Sequence, residues 1–359
     1  MNRNEVLSIE TIGIDAEEEI NTYLLKHRAS LLYSSPSFMK LVTRHIQAQG
    51  GWFVAKRGDE IAGFLPFIVK DGPLGTVYNS MAYYGSNGGV IQHEYDDLAK
   101  TLLIEKFYET AKKNNALSAT IITNPLLEDS DFYKKHIEFT HIDERIGQIT
   151  RLPKDETELS LMKMFDDPRP RNIRKAQRMG VVIERKREHD ALSFLYDSHA
   201  LNMGAIGGLS KRRDFFDLIP QVMKDNEWDI YIAKLEGRPV AALLLFYYNL
   251  TVEYFTPVIL EQFRNTQALA LIIYQAMVDA QSNGFENWNW GGTWLTQGGV
   301  YDFKKRWGTT DYPYYYFNKV FNQSVYTSSK ADLLREYEGV YVLPFSELES
   351  KPMVSGGIV

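Results

Sequence analysis

The 359-residue sequence is 44% apolar and 24% charged with a net charge of −6, which excludes a disordered chain and a basic coat for nucleic acid. It has no cysteine, so disulfides, thiol nucleophiles and Cys-ligated zinc are excluded, and a reducing, cytoplasmic setting fits. The histidines at 27, 45, 93, 136, 141, 189 and 199 form no HExxH or similar pair, so no metal site is expected.

The opening "MNRNEVLSIETIG" lacks an apolar signal core, and the longest apolar runs, 239–250 and 268–278, are too short for a membrane span. The spacing of "EEEINTYLLKH" predicts a helix. "SSPSFMKLVTRHI" predicts another, with a serine cap and a proline in its first turn. "GWFVAKRGDEIAGFLPFIV" reads as two strands joined at Arg57-Gly58-Asp59. A helix over 94–115 and a strand "SATIITN" follow.

The second half begins near residue 150. It opens on a basic helix, 169–179, preceded by the acidic pair and prolines of "DDPRP". A strand "GVVIERK" and a helix from about 189 come next. A further hairpin, "IYIAKLEGRPVAALLLF" (230–246), repeats "WFVAKRGDEIAGFLPF" (52–67) at Ala-Lys, at the turn glycine, and at Ala62 with Ala241, Leu65 with Leu244 and Phe67 with Phe246. The repeat predicts an internal duplication into two similar halves.

The segment 288–309, "WNWGGTWLTQGGVYDFKKRWGT", joins four tryptophans, five glycines and the run Lys304-Lys305-Arg306. That mixture predicts backbone bent round a ligand: "WNW" ends a strand, Gly291-Gly292 turn the chain, and "VYDFKKRWG" returns as a helical turn. Strand alternation is expected to bury one of Trp288 and Trp290.

Hairpin, strand, turn and helix in this order resemble the GNAT acyltransferase core, and two such cores in tandem resemble the FemAB family. "SSPSFMKLV" (34–42), "RPRNIRKAQRMGVVIE" (169–184), "LSKRRDFFDLI" (209–219) and the 288–309 motif carry the resemblance over roughly 30–320. It implies an α/β fold with mixed sheets: two tandem GNAT-like domains with a cleft between them, 1–150 (completed by 325–359) and 151–324. It also implies transfer of an aminoacyl or acyl group to an amine of a cell-envelope or glycan precursor. The alternatives are an acyl-CoA-dependent N-acetyltransferase acting on an amino sugar, and a non-catalytic glycan- or nucleotide-binding relative. The resemblance implies no bound cofactor and a donor co-substrate that is aminoacyl-tRNA or acyl-CoA. The partners implied are a small-molecule or nucleotide- or lipid-linked glycan acceptor and the tRNA 3′ end, with the protein a monomer or weak dimer.

In such a reaction the substrate amine is the nucleophile, so no Ser/His/Asp set is needed. Glu253 in "TVEYFTPV" is the first candidate proton acceptor, Asp302 the second, and Tyr254 a candidate donor to the oxyanion or leaving group. For donor phosphates the resemblance implies Lys304, with Lys305 beside it. Arg264 and Asn265 stand where the pyrophosphate-cradling turn falls, although that turn has no glycine. Arg174 lies on a basic helical stripe with Arg171, Lys175 and Arg178, a pattern equally suited to a solvated face. Tyr84, Asn87, Ser210 and Arg212 are candidate acceptor contacts.

Overall fold

Apolar runs, several of them buried on both faces, and short polar turns build twelve strands in the computed structural model, which describes residues 6–81, 83, 87–154 and 158–349. They are β1 (Leu7–Gly13), β2 (Gln49–Arg57), β3 (Glu60–Lys70), β4 (Val77–Asn79), β5 (Ser118–Ile122), β6 (His141–Arg151), β7 (Val182–Lys186), β8 (Trp228–Leu235), β9 (Arg238–Tyr248), β10 (Thr251–Ile259), β11 (Asn287–Trp294) and β12 (Thr309–Val320). The chain forms two units: 1–27 with 42–144 and 314–359, and 28–41 with 145–313. The second unit thus includes residues 28–41, from the first half of the sequence.

In the first unit β1–β2, β2–β3 and β3–β4 pair antiparallel, β4–β5 parallel, and β5 pairs antiparallel with residues 316–320 of β12. In the second, β7–β8, β8–β9 and β9–β10 pair antiparallel, β10–β11 parallel, and β11 antiparallel with β6. The two pairing schemes are the same. The resemblance between the hairpins extends to their defects: β2–β3 slips register between Ala55 and Lys56, and β8–β9 slips between Ala233 and Lys234. Each bulge falls within the shared Ala-Lys pair and precedes a turn with positive φ, at Gly58 in one and at Glu236 and Gly237 in the other.

Helix Asp97–Lys113 covers the first sheet, its Leu103, Ile104, Phe107 and Ala111 packed with Phe53, Leu65 and Ile121. It starts where Asp96 accepts the Ala99 N–H at 3.1 Å. The C-terminal segment belongs to this unit too: Val325, Leu333, Tyr337 and Val342 pack with Val77 and Leu117. In the second unit helix Ala268–Ser282 is buried between the sheet and helix Arg169–Arg178, from which Ile173 and Ala176 point inward. Its largely apolar composition, unbroken from Ala268 to Tyr274, follows from that double cover.

Two expectations about the 288–309 segment are corrected. β11 does not end at "WNW" but continues to Trp294, through a register shift between Asn289 and Gly292 where Gly291 takes φ +72°. Trp288 and Trp290 are both buried, because residues two apart in a strand face the same side. With Trp307 they form the aromatic floor of the unit, Trp290 stacking on Trp307 at 5.7 Å. Among the described residues no helix is long and apolar enough to cross a membrane.

Candidate active site

Among the described residues β10 and β11 are the one parallel pair of the second unit, and they pair over three residues: Thr251 with Asn287, Val252 with Trp288, and Glu253 with Asn289. Beyond that point each strand keeps its outer neighbour. Thr256–Ile259 stay on β9 past a bulge at Tyr254/Thr256, and Gly292–Trp294 stay on β6 past the bulge at Asn289/Gly292. Two bulges at the same level force the strands apart, and Glu253 stands at the fork. Ligands of α/β sheets commonly bind at such carboxyl-end openings.

Glu253 is 1% exposed. Its side chain projects from the face opposite Val252 and Tyr254, which pack on the tryptophan floor. Around it, Phe246 and Phe255 lie 4.8 Å apart, Phe215 stacks on Phe255 at 5.6 Å, and Phe38 packs edge-on against Phe246 at 6.2 Å. Burial among these rings pushes the Glu253 carboxyl up to about 7, against the opposing pull of hydrogen bonds from Asn289 and Tyr33. The Tyr33 hydroxyl donates to Oε2 at 2.9 Å. Oε1 is buried with no hydrogen-bond partner among the described residues. A carboxyl poised near neutrality with one free oxygen can accept a proton from a bound amine.

The flared end of β11 is braced from below. Asn289 Oδ1 accepts the Gly291 N–H at 2.9 Å, which turns its amide NH₂ toward Glu253. Lys304, in the last turn of helix Gly298–Lys305, donates to Gly291 O at 3.3 Å, Gly292 O at 3.1 Å and Thr293 Oγ1 at 2.9 Å. Lys304 as a whole is 7% exposed, and burial lowers its pKa to about 8. A Cβ built on Gly291 would meet no atom within 4 Å, so this backbone borders open space.

The other candidates fall elsewhere. Tyr254 leans on Trp290 at 4.8 Å, on the side away from the Glu253 carboxyl, and burial raises its pKa. Asp302 is exposed on helix Gly298–Lys305, and Lys305 pairs with Asp311 at 3.4 Å. Arg264 and Asn265 are exposed in the 3₁₀ turn Glu261–Thr266, which leads into helix Ala268–Ser282 through Gln267 at φ +62°. There Thr266 Oγ1 accepts the Ala268 N–H at 3.2 Å. Arg174 is exposed, as are Arg171 and Arg178 on the same helix. Ser210 is exposed, and Arg212 pairs with Asp214 at 2.9 Å. Asn87 is buried in the first unit, and Tyr84 lies outside the described residues.

Sequence reasoning missed Tyr33 and Asn289. Tyr33 precedes Glu253 by 220 residues with no pattern linking them. Asn289 was open to detection: a polar residue between two core tryptophans must face the other side of the strand. Lys211 also lies close, with Nζ 5.1 Å from the centroid of the Phe255 ring and its backbone N–H donating to His199 Nε2 at 3.1 Å. Burial lowers Lys211 to about 8 and, with Lys211 nearby, His199 to about 4.

Tyr33→Phe removes a donor to the charged form of Glu253. Its pKa is expected to rise by about one unit, the equivalent of about 1.4 kcal/mol. A carboxyl ¹³C NMR titration of both proteins checks this; an unchanged midpoint would show that the hydroxyl does not stabilise the carboxylate.

Residues 170–305 match the family profile described as "Acetyltransferase (GNAT) domain", a span from helix Arg169–Arg178 to the end of helix Gly298–Lys305. That segment has the sequence pattern of a GNAT domain, and Glu253 lies inside it. The particular form of the fold is FemAB-like: the crystal structure of FemX superposes with a TM-score of 0.71 at 15% identity, covering 89% of this chain and 99% of FemX. A tandem GNAT protein from the clavulanic acid biosynthesis pathway gives 0.56 at 10% identity over 88% of this chain and 98% of its own. L-PGS from Bacillus licheniformis gives 0.55 at 13% identity over 92% and 98%. No curated protein matches the sequence.

Proposed function

We propose that this protein transfers an aminoacyl or acyl group from an activated ester or thioester to a substrate amine, with Glu253 as the general base. The observation that carries the reading is the buried carboxyl at the β10–β11 fork, with a pKa of about 7 and a free Oε1. Glu253 takes the proton from the acceptor ammonium. The amine nitrogen then attacks the acyl carbon, a tetrahedral oxyanion forms, the C–O or C–S bond breaks, and the leaving oxygen or sulfur takes up the second proton, released by the nitrogen as it becomes the amide. Alignment in the fork supplies much of the remaining barrier reduction, up to about 7–11 kcal/mol in favourable intramolecular cases.

The acyl donor we favour is aminoacyl-tRNA and the acceptor an amine on a cell-envelope precursor, from the resemblance to FemAB proteins and the fold shared with FemX. The exposed Arg264 and Asn265, at the turn into helix Ala268–Ser282, are suited to meet donor phosphates, because the helix N-terminus adds partial positive charge. An acyl-CoA donor is the second reading, favoured by the match to the acetyltransferase profile. Single-turnover assays with radiolabelled aminoacyl-tRNA, and in parallel with acetyl-CoA, over a panel of amino-sugar and peptide-linked precursors separate the two. Product from the tRNA donor alone, with a rate rising through about pH 7, is expected. Product from acetyl-CoA alone would overturn the donor assignment. Donor consumption unaffected by Glu253→Gln would overturn the role of the base.

A further inference from the structure

On the other face of the second unit's sheet lies a cavity of about 300 Å³, lined by Arg185, Arg187, Asn226, Tyr231, Tyr247, Asp279, Asn283 and Phe285. Glu253 points away from it: Tyr247 pairs with Val252, so the two side chains share the side that Glu253 leaves. The charges round this cavity are not neutralised pair by pair. Arg185 and Arg187 both close on one buried carboxylate, Asp229, with Arg185 Nε at 2.6 Å and Arg187 Nε at 2.8 Å. Two guanidiniums on one carboxylate leave one positive charge over. Arg187 spends its Nε on Asp229 and on Trp228 O at 3.1 Å, and its two terminal amino groups have no protein acceptor among the described residues.

Across the cavity Asp279 has the opposite surplus. Its oxygens accept from the Tyr231 hydroxyl at 2.7 Å and the Gln275 amide at 2.9 Å, both neutral donors, and no cation pairs with it among the described residues. A free guanidinium edge and an unpaired carboxylate thus border the same space without meeting. Tyr247 and Phe285, rings 5.4 Å apart, supply an aromatic wall of the same cavity.

A ligand that satisfies this arrangement carries an anion at one end, a cation at the other and an apolar group alongside. We propose that the cavity binds a free α-amino acid with an apolar or aromatic side chain. Its carboxylate meets the two terminal nitrogens of Arg187 in the bidentate geometry that guanidinium favours, and its ammonium meets Asp279. Asn226 and Asn283 also line the space, and the side chain lies on Phe285. Lone anions or lone cations fit poorly, because each leaves the opposite charge uncompensated. The inference is independent of the acyl-transfer reading, since it concerns residues on the far side of the sheet from Glu253.

The test is isothermal titration calorimetry of the full chain with L-phenylalanine, N-acetyl-L-phenylalanine, which lacks the ammonium, and L-phenylalaninamide, which lacks the carboxylate. The zwitterion is expected to bind at least about tenfold tighter than either relative, about 1.4 kcal/mol. Arg187→Met should abolish binding. Because Arg187 also holds Asp229, Asn226→Trp serves as a second variant: it fills the cavity from an exposed position and leaves the Asp229 cluster alone, so binding should vanish with the melting temperature unchanged. Equal affinity for the three ligands, no binding of the zwitterion, or wild-type binding by Asn226→Trp would each overturn the proposal.

Discussion

Replacing Glu253 with Gln is expected to cost about 10²–10⁴-fold in turnover while making the protein more stable at pH 8. Both effects follow from one buried carboxyl. Its pKa is raised from about 4.5 to about 7, so the folded state holds a proton that the unfolded chain gives up over that interval. Below pH 4.5 both states are protonated and Glu253 carries no titration penalty. As pH rises from 4.5 to 7 the unfolded chain ionises first, and the fold loses stability. Above pH 7 the loss is complete, at about 3 kcal/mol. Glutamine retains an acceptor for the Tyr33 hydroxyl and never ionises. The difference in unfolding free energy between Glu253→Gln and wild type should therefore be near zero at pH 4 and grow to about 3 kcal/mol at pH 8. Denaturant melts at the two pH values measure it. A difference that did not change with pH would show that Glu253 keeps an ordinary pKa, and the base assignment would go with it.

The duplicated hairpins were legible because a bulge and a positive-φ turn demand the same local residues wherever they occur. Ala-Lys followed by a turn glycine marked both, and both slip register at that point. Glu253 could be chosen because a lone carboxylate in an otherwise apolar strand has few uses besides a site or an ion pair. Its surroundings were not legible. Tyr33 comes from residues 28–41, a segment that joins the second unit although its neighbours on both sides belong to the first. Nothing in local sequence signals such an exchange, since it is decided by which core the flanking apolar side chains complete. The glycines of 291–292 misled for a related reason. In sequence a glycine pair reads as a turn, whereas here it lets a strand bulge and continue. The bulge is stabilised by a lysine from the following helix, which only the folded chain places beneath it.

That lysine leads to the second large effect. Sequence resemblance makes Lys304 a ligand for donor phosphate, yet its Nζ has three neutral acceptors within the protein, two carbonyls and a hydroxyl. A buried ammonium without a carboxylate partner persists only if those acceptors repay its desolvation. Lys304→Met removes the charge and strands the acceptors; each buried acceptor left unmet costs about 1–3 kcal/mol, offset in part because no ammonium need be desolvated. A net loss of about 1–3 kcal/mol in stability is expected. The catalytic consequence runs through Gly291, whose N–H holds Asn289 Oδ1 and so aims the amide at Glu253. When the bulge relaxes, Glu253 loses a donor and its pKa should climb above 7, moving the rising limb of the pH–rate profile to higher pH with little change in donor KM. A lysine that gripped phosphate would behave in the opposite way: its loss would raise donor KM several-fold and leave the limb where it was. Measuring both quantities on Lys304→Met tells the brace from the grip, and a raised KM with an unmoved limb would return Lys304 to the donor's phosphates.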